Sequence, residues 1–451
     1  MSAGRMRPAQ ALDDHGGVIQ MKLSRRRVAL LLAAVQAAGT LVVLAATPAA
    51  AAFPPSEWVV GPQTRSVIIT LDGTARNKVM DELLLMLERK KADLSFFVPG
   101  AWIDHHETRA RLVKRGGHLL GNRGYGKALF TSLDDAALRA SISKAEDALR
   151  SIGATGMPYL RPPKGARDLD VLRVAGSMGY RSVRWTQHPK GGLAKKIAYK
   201  VVSRVQPGSI ISLDVWRKSH RKALPKIIDR LRKRNYNLRQ IDALANTHAV
   251  RWDVTLRAGD SGAEVAYLQK TLDEISYPVG RRDGSFGYET QQAVYAFEKV
   301  KGLTRDGVVT PQQMTQIALS RRPVVPSKGK PSRFVEVDIS RQVLFEVKKG
   351  RVTHTLPISS GNEEYYTVDG ETYKAHTPRG SFTIERKIEG VRVSRLGKLY
   401  HPSYFVGGYA IHGSQSVPVY PASHGCVRIP MYVRKAFFRR TPVGKAVFVH
   451  N

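Results

Sequence analysis

Between about residues 65 and 245, short apolar runs alternate with longer amphipathic stretches. Residues 66–71, 94–98, 118–121, 182–185 and 209–213 have the length and composition of buried strands. Residues 78–90, 109–114, 133–152 and 223–234 carry a helical period, and Ser132 with Asp135 predicts a capping box at the start of the third helix. Strand–helix alternation predicts a mostly parallel α/β domain, open or closed.

From about 255 to 320 the period is helical throughout. Val265, Leu268, Leu272 and Ile275 fall on one helical face, and Ala293, Val294 and Phe297 mark a second helix over 290–300. Thr310 as N-cap, Pro311 at the first helical position and Gln313 closing a capping box announce a third. Asp283-Gly284 and Asp306-Gly307 are turns before helical segments. These features predict a three-helix unit. Residues 321–332 are basic, rich in proline and without periodicity, and read as an extended linker.

After Phe334 the period shortens to two. Val335, Val337 and Ile339 alternate with Glu336, Asp338 and Ser340, and Lys349-Gly350 turns residues 343–347 back into 352–358. Strands over 381–384, 409–412 and 446–449 and a brief helix near 430–439 complete a mainly antiparallel β domain.

The first 52 residues differ from all of this. Lys22, Arg25, Arg26 and Arg27 precede an apolar run from Val28 to Ala46, and small residues crowd at 49–52. That is the layout of a secretory signal, Sec or twin-arginine, with an uncleaved membrane anchor as the alternative. The formal net charge is +35. Loss of residues 1–52, with six Lys or Arg and two Asp, leaves about +31. Such a surface favours polyanions, and for an exported chain the expected partner is an anionic wall or membrane face, not nucleic acid. Roughly 400 remaining residues exceed one ordinary core and predict two to four domains.

The 451 residues include a single cysteine, Cys426, which excludes an intrachain disulfide. It lies in Ser423-His424-Gly425-Cys426-Val427-Arg428, fourteen positions after His412. A thiol attacks as thiolate, so a base must take its proton; His412 and His424 are the candidates, and the imidazolium can then protonate a leaving amine. Gly425, lacking a side chain, would let the amides of residues 425 and 426 approach an oxyanion. The competing reading is a buried, inert cysteine with incidental histidines.

Ile411-His412-Gly413-Ser414 followed by Ser423-His424-Gly425-Cys426-Val427-Arg428 resembles the catalytic motif of the L,D-transpeptidase (YkuD-type) family. Thr377-Pro378-x-Gly380-x-Phe382 and Tyr404-Phe405-x-Gly407-Gly408 resemble its strand signatures, and the likeness spans 333–450. The resemblance implies a β-sandwich-like domain with Cys426 as nucleophile and His412 as base. A backbone carbonyl at Gly413 or Ser414 would orient the imidazole. Ser423 and His424 would shape the pocket, and Arg428 would support the loop or meet a carboxylate. It also implies a peptidoglycan tetrapeptide stem as acyl donor, and either a neighbouring stem amine (3→3 cross-linking) or water (an L,D-carboxypeptidase) as acceptor. No cofactor and no protein partner are implied.

Residues 255–320 resemble a peptidoglycan-binding domain, through Leu256-x-x-Gly259-Asp260-x-Gly262, Asp283-Gly284-x-Phe286-Gly287 and Gly302-Leu303-x-x-Asp306-Gly307. Residues 65–245 resemble the polysaccharide deacetylase family, whose fold is a distorted (β/α) barrel, but depart from it at the chemistry. The paired aspartates shrink to Asp72-Gly73, the two motif histidines correspond to Arg123 and Lys127, and the histidine expected before Asp214 is Leu213. Cations at ligand positions repel a divalent metal, so neither metal nor deacetylation is expected. Asp72, Asn122, Arg161 and Trp185, with Arg123, would outline a vestigial groove. The expectation is a secreted wall-remodelling enzyme with two wall-facing domains; an active deacetylase and a non-catalytic wall-binding protein are the alternatives.

Overall fold

A computed structural model describes residues 52–326 and 329–451; the expected signal segment, all but its last residue, lies outside them. Among the described residues no helix is long and apolar enough to cross a membrane.

The first domain is built on a nine-stranded sheet: β1 (Ser56–Trp58), β2 (Ser66–Asp72), β3 (Ser95–Val98), β4 (Leu119–Asn122), β5 (Tyr159–Leu160), β6 (Arg181–Val183), β7 (Ser209–Asp214), β8 (Asn237–Arg239) and β9 (Val250–Arg251). The order is β7-β2-β3-β4-β5-β6-β1-β9, with β8 on β2, and every pair is parallel except β1–β9. Just past β6, Gln187 bridges Ile211 of β7, so the sheet curls almost onto itself. Alternation along the strands then separates two layers. Val67, Ile69, Leu71 and Leu213 pack outward with Met80, Leu83, Ile227 and Ile228 of the helices Asn77–Arg89 and Lys218–Lys233. Ile68, Phe97, Val183 and Ile210 fill the interior with Trp58 and Ile241. Above that apolar plug the same inner face carries Thr70, Asp72, Ser212 and Asp214.

The helices Leu169–Ser177 and Ala194–Arg204 escaped the sequence reading because small and basic residues blur their period. The capping box at Ser132 is corrected: Asp134 caps the helix Asp135–Ser151 by accepting the Ala137 amide, while Ser132 sits in a short 3-10 turn and bonds the Leu129 carbonyl.

The second domain holds the helices Ala263–Glu274, Tyr288–Lys301 and Pro311–Leu319. Thr310 caps the last by accepting the Gln313 amide, but the Gln313 side chain turns to Glu298 and does not close the box. Leu268, Leu272, Val294, Phe297 and Ile317 form one core with Leu172, Val250 and Trp252 of the barrel. A buried cluster seals this junction: Arg167 donates twice to Glu57, at 2.9 Å each, and Tyr267 donates to the same carboxylate at 3.0 Å.

The third domain has two five-stranded sheets. One is ordered β12 (Arg351–Pro357), β11 (Val343–Lys348), β10 (Arg333–Asp338), β21 (Ala446–His450) and β15 (Gly380–Thr383). The other runs β16 (Arg386–Lys387), β18 (Gly397–Val406), β19 (Tyr409–Ser414) and β20 (Val427–Pro430), with β17 (Val391–Ser394) on β18. β13 (Tyr365–Val368) and β14 (Glu371–Lys374) form a separate hairpin. Val335, Val337 and Leu344 of the first sheet meet Phe405, Ile411, Val427 and Ile429 of the second. Pairing is mostly antiparallel, but β10–β21 and β19–β20 are parallel.

Two features of this domain go beyond the sequence pattern. The alternation in β10 does not mark a solvent face, since Glu336 and Asp338 are buried. Glu336 is paired with Lys330 and His450, and Asp338 with Arg341. The reason is the linker: Val325, 4% exposed, packs with Phe334, Val343 and Phe345 on the outer face of that sheet, beside Val300 of the second domain. Among its described residues the 321–332 stretch is without helix or strand, and Val325 docks it on the sheet.

Candidate functional site

Parallel pairing of β19 and β20 sets Ile411 against Val427 and His412 against Arg428. Side chains alternate along a strand, and directly paired residues share a face. Ile411, Val427 and Ile429 therefore enter the core, while His412, Arg428 and Cys426, two residues before Arg428, turn the other way. They line one groove of about 700 Å³ with Ser414, Ser423, His424, Tyr366, Tyr404 and Tyr409.

The loop around the thiol is held by its own polar atoms. Ser423 Oγ accepts the Gly425 amide at 3.0 Å and donates to the Cys426 carbonyl at 2.5 Å. Thr377, fully buried, accepts the Gly361 amide at 2.9 Å and donates to the Gly425 carbonyl at 2.7 Å. Gly425 has φ +128°, and a Cβ there would lie 2.6 Å from the Tyr409 ring and 2.7 Å from the His376 carbonyl. This corrects the expected reason for the glycine. Its amide is engaged by Ser423 and is not an oxyanion donor; the residue is small because backbone and ring approach from both sides. Ser414 closes a local turn by donating to the Ser416 carbonyl, and His424 is exposed, its ring 4.5 Å from that of Tyr366.

The imidazole of His412 is buried, and its Nδ1 lies 2.9 Å from the Gly413 carbonyl. A carbonyl only accepts, so Nδ1 carries the proton and Nε2 is left with a lone pair. Burial pushes the His412 pKa down to about 4; the Gly413 bond opposes this and Arg428 reinforces it. Burial raises the Cys426 pKa, against the opposing pull of the Ala410 amide and Arg428. The resting pair is thus a neutral thiol and a neutral imidazole. Arg428 has no carboxylate partner among the described residues, leaving its guanidinium free in the groove.

The barrel mouth is a different environment. Arg161, 1% exposed, donates to both Asp72 oxygens at 3.1 and 3.2 Å and to the Val183 carbonyl at 2.9 Å, and its guanidinium lies 4.2 Å from the centre of the Phe97 ring. Ser212 also donates to Asp72. Arg123 feels the charges of Asp72 and Asp214, and burial lowers its pKa. Lys127, by contrast, is exposed and is not brought into this cluster. Asn122 is corrected as well: it is buried away from any groove, donating to the Ile142 carbonyl and the Tyr180 hydroxyl and accepting the Gly124 amide. Leu213 faces the helix layer, as strand alternation requires. Two residues missed in the sequence, His188 and His220, flank Asp214 at 3.6 and 3.8 Å. His220 Nδ1 already accepts the Asp214 amide. Trp185 lies over His188, and Arg217 pairs with Asp214 at 2.7 Å. A divalent metal does not fit this donor set: Asp72 is committed to Arg161, and cations stand beside both carboxylates. Among the described residues no group of three or more His, Cys, Asp or Glu is placed to hold one.

Comparison with known proteins follows the same division. Residues 332–449 match the L,D-transpeptidase catalytic domain family, residues 261–317 a peptidoglycan binding domain, and residues 60–183 the polysaccharide deacetylases. A crystallised L,D-transpeptidase from Xylanimonas cellulosilytica is 41% identical over 43% of this chain and 97% of its own, with a TM-score of 0.40. The peptidoglycan-N-acetylmuramic acid deacetylase PdaA of Bacillus subtilis is 26% identical over 40% of this chain and 71% of its own. A CE4 family pseudoenzyme from Bacillus anthracis is 20% identical over 43% of this chain and 69% of its own, with a TM-score of 0.40.

The chain belongs, through its C-terminal domain, to the L,D-transpeptidases, a family of peptidoglycan-modifying enzymes. Ahead of that domain it carries a peptidoglycan-binding domain and one of polysaccharide deacetylase type.

Proposed function

We propose that the protein is an exported L,D-transpeptidase acting through Cys426. The observation that carries this reading is the shared face of Cys426, His412 and Arg428 in one groove. Because both resting groups are neutral, the proton passes from Sγ to Nε2 of His412 as the sulfur attacks. Attack at the L-centre carbonyl of a tetrapeptide stem forms the thioester. The C–N bond to the terminal D-alanine breaks, and the imidazolium returns its proton to the leaving amine. A side-chain amine of a second stem then attacks the thioester, losing a proton to His412, and the thiol is regenerated with a 3→3 cross-link. Arg428, unpaired in the groove, suits a stem carboxylate. Water in place of the amine would give an L,D-carboxypeptidase.

The barrel domain is proposed to bind wall material without deacetylating it, since Arg161 and Arg123 stand where the metal chemistry would be. An anionic partner is supported by a shallow groove of about 690 Å³ between the helices Ala194–Arg204 and Lys218–Lys233. It is lined by Lys195, Lys196, Lys200, Arg204 and Arg230 with Tyr199 and Ser203, and no carboxylate. Five like charges around one groove repel one another, and a phosphate-bearing wall polymer relieves that repulsion.

The test is intact mass after mixing with a carbapenem, then digestion of walls treated with the protein. A covalent adduct absent in Cys426→Ala, with 3→3 dimers in the digest, supports the reading. Trimmed stems without dimers would favour the carboxypeptidase, and a folded protein that forms no adduct would overturn both.

A further inference from the structure

The segment 415–422, which has neither helix nor strand, is the chain's only link from His412 to Ser423-His424-Gly425-Cys426. The second domain reaches this loop and its bed with two cations. Arg305, in the turn after the helix Tyr288–Lys301, donates through Nη1 to the Val419 carbonyl at 2.9 Å. Lys299, near the end of that helix and 1% exposed, donates through Nζ to the Ile358 carbonyl at 2.9 Å. Neither has a carboxylate within ion-pairing distance among the described residues.

Ile358 leads into the backbone on which the nucleophile loop lies. Ser359 exchanges amide–carbonyl bonds with Arg428 at 3.0 and 3.2 Å, and its hydroxyl donates to the Tyr420 carbonyl at 2.9 Å. The Ser360 carbonyl accepts the amides of Ala422 and Ser423 at 3.0 and 2.9 Å. One cation thus grips the loop and the other grips its bed. Further backbone contacts close the same junction: the Thr355 amide donates to the Ser276 carbonyl at 2.7 Å, and Tyr432 Oη to the Pro278 carbonyl at 2.8 Å.

A spacer domain has no use for a lysine in this position. Burying an ammonium without a counter-ion is costly, and a hydrocarbon of the same length would fill the space without that cost. Burial, with Arg305 nearby, pushes the Lys299 pKa down to about 7. What the lysine supplies that a hydrocarbon cannot is a strong, directional bond to one carbonyl.

We propose that Arg305 and Lys299 are positioning residues for Cys426, so that the peptidoglycan-binding domain is a working part of the catalytic unit as well as a wall anchor. The proposal rests on Cys426 being the nucleophile. The domain completes the site by fixing the loop between base and thiol, and the two donors do this without touching substrate.

The test uses the full chain with Arg305→Ala, Arg305→Lys and Lys299→Met. Hydrogen exchange of residues 415–426 reads the loop directly, and carbapenem acylation of Cys426, resolved into saturation constant and maximal rate, reads its consequence. In Arg305→Ala and Lys299→Met, exchange over 415–422 is expected to rise about tenfold, the scale of one lost charge-assisted bond. Exchange in the barrel should stay unchanged, and the thermal midpoint should hold in Arg305→Ala and hold or rise in Lys299→Met, where a costly buried charge is removed. The maximal acylation rate falls about tenfold, with the saturation constant little altered. Arg305→Lys, which keeps a donor, recovers most of both. Arg305 is half-exposed, so its loss leaves every core intact and the variant folded. Wild-type exchange over 415–422 in Arg305→Ala and Lys299→Met overturns the proposal. If the wild type fails to acylate, the nucleophile reading falls, while the exchange measurement still decides whether the clamp exists.

Discussion

His412 stands directly opposite Arg428 in the parallel pairing of β19 and β20, one strand step from Cys426 on the same face. A fixed cation beside an imidazole disfavours its protonation, and burial does so more strongly, so this imidazole is held uncharged. Replacing His412 by Ala should leave the thiol in place but lower the acylation rate by about 10²–10⁴-fold, the usual worth of a positioned general base. Stopped-flow acylation measures it. A His412→Ala enzyme at wild-type rate would assign the proton to another group.

The same electrostatics predict an unreactive thiol. With the Cys426 pKa raised and no resting ion pair, alkylation by iodoacetamide should show no step between pH 5 and 8 and climb only above the ordinary cysteine range. Mass spectrometry of the modified fraction against pH gives the profile. A plateau near pH 6 would mean a thiolate–imidazolium pair instead.

Stability should also depend on this histidine. Unfolded, it takes up a proton near its ordinary 6.5; folded, only near 4. Between those values the unfolded state binds more protons, so stability falls as pH drops, by about 3 kcal/mol across the window. Denaturant unfolding of wild type and His412→Gln at pH 7 and pH 4 isolates the effect. The wild type loses more than the variant by that amount, and an equal loss in both contradicts the buried neutral imidazole.

Gly425 and Thr377 fix the loop that carries Cys426. Gly425→Ala puts a Cβ against Tyr409 at a φ that L side chains rarely adopt, at a cost of about 1–3 kcal/mol before any clash. Thr377→Val orphans the Gly361 amide and the Gly425 carbonyl, for about 1–3 kcal/mol more, while Thr377→Ser restores both bonds. Thermal midpoints and acylation rates should fall together in Gly425→Ala and Thr377→Val and recover in Thr377→Ser.

In the barrel, Arg161→Met strands the buried Asp72 carboxylate and should destabilise the domain by about 3–5 kcal/mol. The double variant Arg161→Met with Asp72→Leu should cost less than the single one, because no charge is then left alone. Elemental analysis of the purified wild type should find no stoichiometric zinc, and one zinc per chain would revive the deacetylase alternative.

How much could be read from the sequence follows from how local each signal is. Strand alternation and the run Ser423–Arg428 are local, and they name Cys426 with His412 and His424 as candidate bases; the choice of His412 comes from the resemblance of Ile411-His412-Gly413-Ser414 to the family motif. The reason for Gly425 is not local: Tyr409 and the His376 carbonyl arrive from distant segments. The burial of Glu336 is not local either, because a period-two pattern says nothing of what covers the outer face of a sheet. His188 was invisible for a similar reason, since only the curl of the sheet brings it to Asp214, while His220 returns to Asp214 through the turn into the helix Lys218–Lys233, six residues on. Arg305 carried no signal at all, as its partner is a backbone carbonyl in another domain.

Val325, seated on Phe334 and Phe345, changes how this molecule can work along a polymer. A free tether of twelve residues would let a catalytic head roam about 20 Å from its anchor. With the connector docked there is no such search radius. Under the proposed function, the distance from the wall-binding domains to the sulfur would be a fixed gauge, and the spacing of a mesh would decide which of its strands can be joined.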